Sequence, residues 1–157
     1  MDIYILRHGE AEPLSPKIED ATRGLTAGGK RDVRRVSKVA KNAKLQPDVI
    51  LTSPLRRAHQ TAAIAAKVLK APMAESRNLL PTVTPEKLWK ELGALKDVAH
   101  VMVVGHEPHL SHFAAFLLEA AVSIDLKKGA LLHIRTAASL GKPRGTLQSL
   151  VTPRLAR

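Results

Sequence analysis

Near the start of the chain lies Ile3-Tyr4-Ile5-Leu6-Arg7-His8-Gly9-Glu10-Ala11, an apolar run that stops abruptly at an arginine, a histidine and a glycine. The run is short, partly β-branched and ended by glycine, so it predicts a buried β-strand that delivers Arg7 and His8 to a loop. In parallel α/β sheets, ligands gather outside the carboxyl ends of the strands, where close backbone approach often requires glycine. The pattern therefore places Arg7, His8 and Gly9 at the mouth of a candidate site.

A second strand end is predicted at Val49-Ile50-Leu51, which is followed by Thr52-Ser53-Pro54 and then by a helical pattern. This order predicts a strand that feeds a helix, with Ser53 as the N-cap and Pro54 at the first helical position. Arg56 and Arg57 then lie in the first helical turn, where exposed amides and the helix dipole favour an anion. Cations destabilise a first turn, so their presence there suggests a binding role.

The stretch from Ala99 to His106 repeats the opening pattern, because an apolar run again stops at a glycine and a histidine. The carboxyl ends of parallel strands meet at one edge of a sheet, so we expect His106 to lie near His8 and the arginines. Arginine forks bind phosphate oxygens, and a neutral histidine can attack phosphorus and carry the phosphoryl group. Nearby cations favour that neutral form. The constellation therefore suits phosphoryl transfer.

The rest of the chain completes an α/β pattern. A polar loop at 12–25 carries Arg23, and an amphipathic helix with Val36 and Ala43 on its apolar face follows from the predicted N-cap Thr26. The remaining predicted elements are a short edge strand at 71–74, helices at 84–95 and 108–119, and late strands at 129–136 and 145–152 that suit a hairpin. We expect one domain over residues 1–157 with four or more strands.

Composition excludes several classes of protein. The chain of 157 residues has no cysteine, which removes disulfides, thiolate nucleophiles and cysteine zinc sites. It opens directly on the first strand, and its longest apolar tract, at 113–118, is too short to span a bilayer. A cytoplasmic protein that contacts no membrane is therefore expected.

The formal charge of +11 favours an anionic partner, such as nucleic acid, a phosphorylated ligand or an acidic protein. One Trp, one Tyr and two Phe leave little for base stacking, which makes nucleic acid the weakest of the three. A metal site at three closely spaced histidines, His106, His109 and His112, is not expected. The outer two are six residues apart and diverge on a helix, and no pair of acidic ligands joins them. Neither a metal nor a cofactor is expected.

Four motifs in order resemble those of the histidine phosphatase superfamily, which includes the cofactor-dependent phosphoglycerate mutases. They are Arg7-His8-Gly9, Leu25-Thr26 with Gly29, the run Ser53-Pro54-Leu55-Arg56-Arg57-Ala58-His59-Gln60-Thr61, and Gly105-His106. The resemblance covers the first two-thirds of the chain. It implies a three-layer αβα sandwich with a mostly parallel central sheet.

The resemblance also implies roles for individual residues. His8 is the phosphorylated nucleophile and Arg7 a phosphate clamp. Arg57 rather than Arg56 is the second clamp, because it precedes the Ala and Gln-Thr of the motif. His106 is a phosphate-binding or electrostatic partner. Further contacts with the phosphate are expected from three residues, namely Gly9, Arg23 and Ser53.

Size narrows the choice within the superfamily. The mutases and sugar-phosphate phosphatases carry extra helices and an acid that protonates the leaving oxygen, but here Glu75, Glu86, Glu91 and Asp97 match no such motif. A chain this compact resembles the small protein phosphohistidine phosphatases, which act on histidine phosphotransfer domains. An imidazole leaving group can take its proton from the surroundings more readily than a sugar alkoxide can. Two alternatives stay open: a small-molecule phosphatase or mutase, and a phosphoprotein-binding module without turnover.

Overall fold

The computed structural model describes residues 1–137 and 141–157. Its main elements in chain order are β1 (Asp2–Arg7), α1 (Ala27–Asn42), β2 (Val49–Thr52), α2 (Arg56–Leu69), β3 (Met73–Glu75), α3 (Pro85–Gly93), β4 (His100–Gly105), α4 (His109–Leu117), β5 (Leu131–Thr136) and β6 (Gly145–Val151). Within these residues the strands form a six-stranded sheet in the order β3-β2-β4-β1-β5-β6. The first four strands pair in parallel, whereas β5 is antiparallel to both β1 and β6.

The sheet is covered on both faces because its central strands are apolar on both sides. In β1, Ile3 and Ile5 face a core that includes side chains of α3 and α4. Tyr4 and Leu6 face the opposite core, which α1 and α2 complete. All four side chains are at most 2% exposed. The expected three-layer α/β/α architecture with a mostly parallel sheet is therefore confirmed.

Most predicted elements are confirmed, with corrections at helix ends. Thr26 caps α1, and its hydroxyl accepts a hydrogen bond from the amide of Gly29 at 2.9 Å. The helix ends at Asn42, however, so Ala43 is exposed and does not extend the apolar stripe as predicted. The late strands do pair as β5 and β6, and the middle of their connection, 138–140, lies outside the described residues.

The predicted start of the second helix is wrong. Helix α2 begins at Arg56 with Leu55 at its N-cap, so Ser53 is not the cap and Pro54 is not the first helical residue. The hydroxyl of Ser53 instead accepts from the amide of Leu55 at 3.3 Å and contacts His106 at 2.8 Å. These contacts form a turn between β2 and α2, and they hold the serine side chain at the sheet edge.

No helix in the described ranges is both long and apolar enough to cross a membrane.

Helix α1 supports the turn that follows β1 through a close approach at Gly29. A Cβ atom at this position would collide with the carbonyl oxygen of Glu10 and would lie 2.8 Å from the Glu10 amide. The same carbonyl accepts a hydrogen bond from the amide of Thr26 at 3.0 Å. The first turn of α1 is therefore packed directly against the backbone that follows His8 and Gly9.

We predict that Gly29→Ala lowers the free energy of unfolding by roughly 1–3 kcal/mol in urea denaturation, because the new methyl group overpacks this contact. Gly28→Ala is the matched control, since a Cβ there would lie in ordinary contact, 3.7 Å from the neighbouring side chains. Alanine is the better helix former, so the control should be neutral or stabilising by up to about 1 kcal/mol. Equal effects of the two substitutions would contradict the packing argument.

Candidate active site

His8 occupies the first position beyond β1 and is held there by backbone hydrogen bonds. Its amide donates to the carbonyl of Gly105 at 3.0 Å, and its own carbonyl accepts from the amide of Gly129 at 3.0 Å. The residue is only 8% exposed. The imidazole is therefore fixed at the carboxyl edge of the sheet, where the sequence places it.

The hydrogen bond of the His8 ring fixes its tautomer. Nδ1 lies 2.7 Å from the carbonyl oxygen of Gly9, which can only accept, so Nδ1 carries the proton and Nε2 holds a free lone pair. Burial lowers the pKa of His8 to about 4, and the charges of Arg57, Arg7 and Lys128 act in the same direction. Nε2 of His8 is thus unprotonated at neutral pH, which is the state that a nucleophilic role requires.

The backbone of Gly9 is engaged within the protein. Its carbonyl holds the His8 ring, and its amide donates to Thr61 Oγ1 at 3.1 Å. The hydroxyl of Thr61 in turn donates to the carbonyl of Arg57, one turn back in α2, at 2.8 Å. The predicted substrate-binding residue Gly9 therefore links the turn after β1 to the start of α2.

His106 follows β4 and faces His8 across the neighbouring strand end, with ring centroids 5.2 Å apart. Its Nε2 lies 2.8 Å from Ser53 Oγ. Ser53 Oγ accepts from the amide of Leu55, and among the described residues Nε2 of His106 is the one acceptor within reach of its hydroxyl proton, so Ser53 donates to Nε2. This arrangement leaves the proton of the neutral ring on Nδ1, which is buried and has no partner in the described structure. Burial, the His8 ring and Arg57 lower the pKa of His106 to about 3.

The two predicted clamp arginines come from different elements, and the charge of each acts on the His8 ring. Arg7 ends β1, and its Nη1 donates to the carbonyl of Leu126 at 2.8 Å. Arg57 lies in the first turn of α2, where it is 6% exposed and donates from Nη1 to the carbonyl of Asp20 at 3.0 Å. In both guanidinium groups Nε is buried without a hydrogen-bond partner among the described residues.

Asp20 is a site residue that sequence reasoning missed. Its carboxylate accepts from Arg57 Nη2 at 3.3 Å and lies 2.7 Å from Arg23 Nη2. The hydrogen bond from Arg23 lowers the pKa of Asp20, so this carboxylate is ionised at neutral pH. Arg23 thus contacts Arg57 through a shared acid. In the sequence, the role of Asp20 is indicated only by its position three residues before Arg23. Acids at this spacing from an arginine are common in polar loops, so the position alone does not predict a site residue.

Two side chains of α2 also form hydrogen bonds with the loop that carries Asp20. Arg56 Nη1 donates to the carbonyl of Thr22 at 3.0 Å, and Gln60 Oε1 accepts from the amide of Leu25 at 2.7 Å. Arg56 therefore holds the loop from outside, while Arg57, one residue later, is directed into the site.

The other titratable side chains singled out from the sequence have different surroundings. His59 is half exposed and lies 3.8 Å from Glu75. Glu107, which precedes α4, accepts from the amide and the hydroxyl of Ser111 in the first turn of that helix, at 3.1 and 2.6 Å. Across residues 1–137 and 141–157, no group of three or more His, Asp or Glu side chains is arranged to hold a metal ion.

The comparisons with known proteins identify the class. The model of the histidine phosphatase superfamily (branch 1) matches residues 3–80. An uncharacterised protein of Picosynechococcus sp. is 31% identical over 144 residues, covering 88% of this chain and 87% of the relative. The chain belongs to the histidine phosphatase superfamily, and the expectation of a phosphatase is confirmed at that level.

Particular relatives are phosphohistidine phosphatases. The chain is 29% identical over 123 residues to the phosphohistidine phosphatase SixA of Escherichia coli K12, with 74% of each chain covered. The structure of a protein histidine phosphatase SixA complexed with tungstate superposes with a TM-score of 0.86 at 25% identity over the whole of both chains. A putative SixA from Agrobacterium tumefaciens, at 21% identity with 97% and 98% coverage, shares the fold with a TM-score of 0.80.

The depressed histidine pKa values predict that stability is lost on mild acidification. The unfolded chain takes up protons near pH 6.5, whereas His8 and His106 in the folded state resist protonation down to about pH 4 and about pH 3. Each therefore removes up to about 1.4 kcal/mol of unfolding free energy per pH unit as the pH falls below 6.5. In urea denaturation between pH 7 and 5, His106→Gln should show a shallower decline than the wild type. Parallel declines would show that His106 is not held neutral by the fold.

Proposed function

We propose that this protein hydrolyses the P–N bond of a phosphohistidine in another protein through a covalent phospho-His8 intermediate. The observation that carries the proposal is the environment of the free His8 Nε2. Three buried nitrogens around it lack partners in the described structure, namely Arg7 Nε, Arg57 Nε and His106 Nδ1. Leaving a buried donor unsatisfied costs about 1–3 kcal/mol, and a phosphoryl group brings three acceptor oxygens.

The proposed reaction has two displacements at phosphorus. The lone pair of His8 Nε2 attacks phosphorus while the P–N bond to the substrate imidazole breaks and its electrons return to that nitrogen. Arg7, Arg57 and His106 hold the phosphoryl oxygens as charge moves onto them. Water then attacks phospho-His8, the P–Nε2 bond breaks, and inorganic phosphate leaves. The proton that the first imidazole takes up from solvent is balanced by the proton that the attacking water loses.

The lack of a protonated acid at the site, among the described residues, favours a phosphoramidate over a phosphate ester. The carboxyl group of Asp20 bonds to the clamp residue Arg57, but it is ionised and cannot protonate a leaving group. In the described part of the chain, no carboxyl group from Glu75, Glu86, Glu91 or Asp97 bonds to His8, His106 or the clamp arginines. Glu91, for example, accepts from Ser76 and Asn78 at 2.6 and 2.8 Å. The free ring nitrogen of a phosphohistidine can take a proton from solvent before the P–N bond breaks, so the ring leaves as neutral imidazole, whereas an alkoxide leaving group needs a donor at its own oxygen.

The similarity to proteins named phosphohistidine phosphatase SixA supports the same substrate class. The tungstate in one of these structures is an oxyanion, as phosphate is. A phosphorylated acidic protein, such as a histidine phosphotransfer domain of a signalling relay, also suits the net charge of +11. Such a relay would place the protein in the cytoplasm.

Replacing the nucleophile tests the proposal. We expect His8→Ala to slow phosphate release from a histidine-phosphorylated protein by about 10³-fold or more, because the covalent route is lost. His59→Ala, on the exposed side of α2, is the histidine control and should keep wild-type rates. Radiolabelled phosphate should remain on the wild-type chain, in an acid-labile and alkali-stable form, after a rapid quench. Undiminished release by His8→Ala would refute the mechanism, and faster turnover of sugar phosphates or phosphoglycerate would refute the substrate class.

Ser53 is expected to act by setting the tautomer of His106. In Ser53→Ala the buried Nε2 loses its donor, so the ¹⁵N shifts of His106 should move from a ring protonated at Nδ1 towards one protonated at Nε2. A phosphate donor is thereby lost, and kcat should fall about tenfold or more with a smaller change in KM. Ser53→Thr retains the hydroxyl and should restore both readouts. A fall in kcat without any change of tautomer would show that the serine acts in another way.

A further inference from the structure

We propose that three exposed cations beside the site, Lys128, Arg154 and Arg157, dock carboxylates that flank the phosphohistidine of the substrate protein. We call these residues the rim cluster. The inference rests on the proposed function, and it adds the surface on which the substrate protein is held. The sequence motifs do not include these residues, because the motifs lie in the first two-thirds of the chain.

The rim cluster is continuous with the site. It lines a cleft of about 630 Å³ whose wall also includes Arg7, the proposed phosphate clamp at the end of β1. Lys128 is close enough to His8 for its charge to contribute to the low pKa of that ring. A protein segment that presents a phosphoryl group to His8 would therefore extend over these cations.

Hydrogen bonds and packing fix the backbone on either side of the rim cluster. The amide of Gly129 donates to the carbonyls of both Arg7 and His8, at 3.2 and 3.0 Å. Gly129 has a φ of +73°, and a Cβ on it would lie only 3.2 Å from Pro153 Cγ, so the C-terminal turn packs over this glycine. The carbonyl of Thr152 accepts from the amides of residues 155 and 156, at 3.0 and 3.2 Å, which closes that turn. Lys128 and the two arginines are therefore positioned relative to His8.

The cleft can bind carboxylates of a partner, although acidic side chains also line it. Two of its three acidic side chains are paired with cations, Asp125 with Lys127 and Asp32 with Arg35 at 3.5 Å. The third, Glu10, accepts a hydrogen bond from the hydroxyl of Thr26 at 3.3 Å. The rim cluster, by contrast, makes no ion pair with a carboxylate in the part of the chain that the structure describes. The uncompensated charge in the cleft is thus predominantly positive, because Arg7 and the three cations of the rim cluster outnumber the single carboxylate of Glu10.

The chemistry of the cleft favours an acidic protein over nucleic acid. No aromatic residue appears among its lining side chains, so it offers bases nothing on which to stack. Arginines at a rim suit carboxylates, which they bind bidentately. Each exposed ion pair raises the binding affinity by a factor of up to about five. Three such pairs therefore account for a preference of about tenfold or more for an acidic segment over a neutral one, and salt should weaken this preference.

The test uses two synthetic peptides that carry a non-hydrolysable phosphohistidine analogue, phosphoryltriazolylalanine. One peptide has Asp and Glu on both sides of the analogue, and the other has Ser and Gln. The test variant is the triple reversal K128E/R154E/R157E. The control is K41E/K44E/K70E, which changes the net charge equally in a basic cleft that includes His100, at the amino end of β4.

We expect wild type and control to bind the acidic peptide at least about tenfold more tightly than the neutral one at low salt, and the test variant to lose that preference. Equal loss in both triple variants would attribute the preference to net charge and overturn the rim cluster as the docking surface. Retention of the preference by the test variant would overturn it as well. Tighter binding of a single-stranded oligonucleotide than of the acidic peptide would indicate a nucleic-acid partner instead.

Failure of the docking proposal can be distinguished from failure of the proposed hydrolysis. A wild type that prefers the acidic analogue but releases no phosphate from a phosphohistidine protein would refute the proposed function and leave the docking surface standing. A wild type that hydrolyses phosphohistidine but binds both peptides equally would refute only the docking surface.

Discussion

The parallel register of β1 on β4 is the constraint on which the site depends. Arg7 pairs with Gly105, so His8 and His106 are each the first residue beyond a paired strand, and the amide of His8 extends the ladder by bonding to the Gly105 carbonyl. A slip by one residue would shift His8 by about 3.3 Å and turn its ring to the other face of the sheet. The apolar side chains of both strands prevent this slip, because each one is buried against helices on a defined face.

The same burial that stabilises the sheet prepares the chemistry of the site. Excluding water from the His8 and His106 rings makes protonation unfavourable, and the neighbouring guanidinium groups add to that effect. A neutral histidine lies among fixed cations here, and water would screen the charges of those cations at an open surface. Unpaired donors such as Arg7 Nε and Arg57 Nε remain as a consequence, and an anion is the ligand that satisfies them.

Sequence patterns predicted those features of the structure that depend on neighbouring residues. The strand ends at His8 and His106 follow from apolar runs stopped by polar residues, and the structure confirms both strands. The cap assignment for Ser53 was wrong because a partner 53 residues away, His106, competes with the local preference for a helix start. Asp20 was missed for a similar reason. It lies in an aperiodic loop, and its contact with Arg57 joins residues 37 positions apart.

The loop after β1 is held in place before any substrate arrives, and this determines how a phosphate can bind. Arg57 uses Nη1 and Nη2 to hold Asp20, yet a guanidinium has five N–H donors, so Nε and the second hydrogens of the terminal nitrogens stay available. A phosphoryl group can therefore be bound by Arg57 without displacing Asp20 or opening the loop. Arg56 and Gln60 also bind this loop to α2. The conformational entropy of the loop is therefore lost when the protein folds and not when a ligand binds. The site is thus preorganised, so that in the proposed reaction the binding energy of the phosphoryl group would remain available to orient phosphorus towards His8 Nε2.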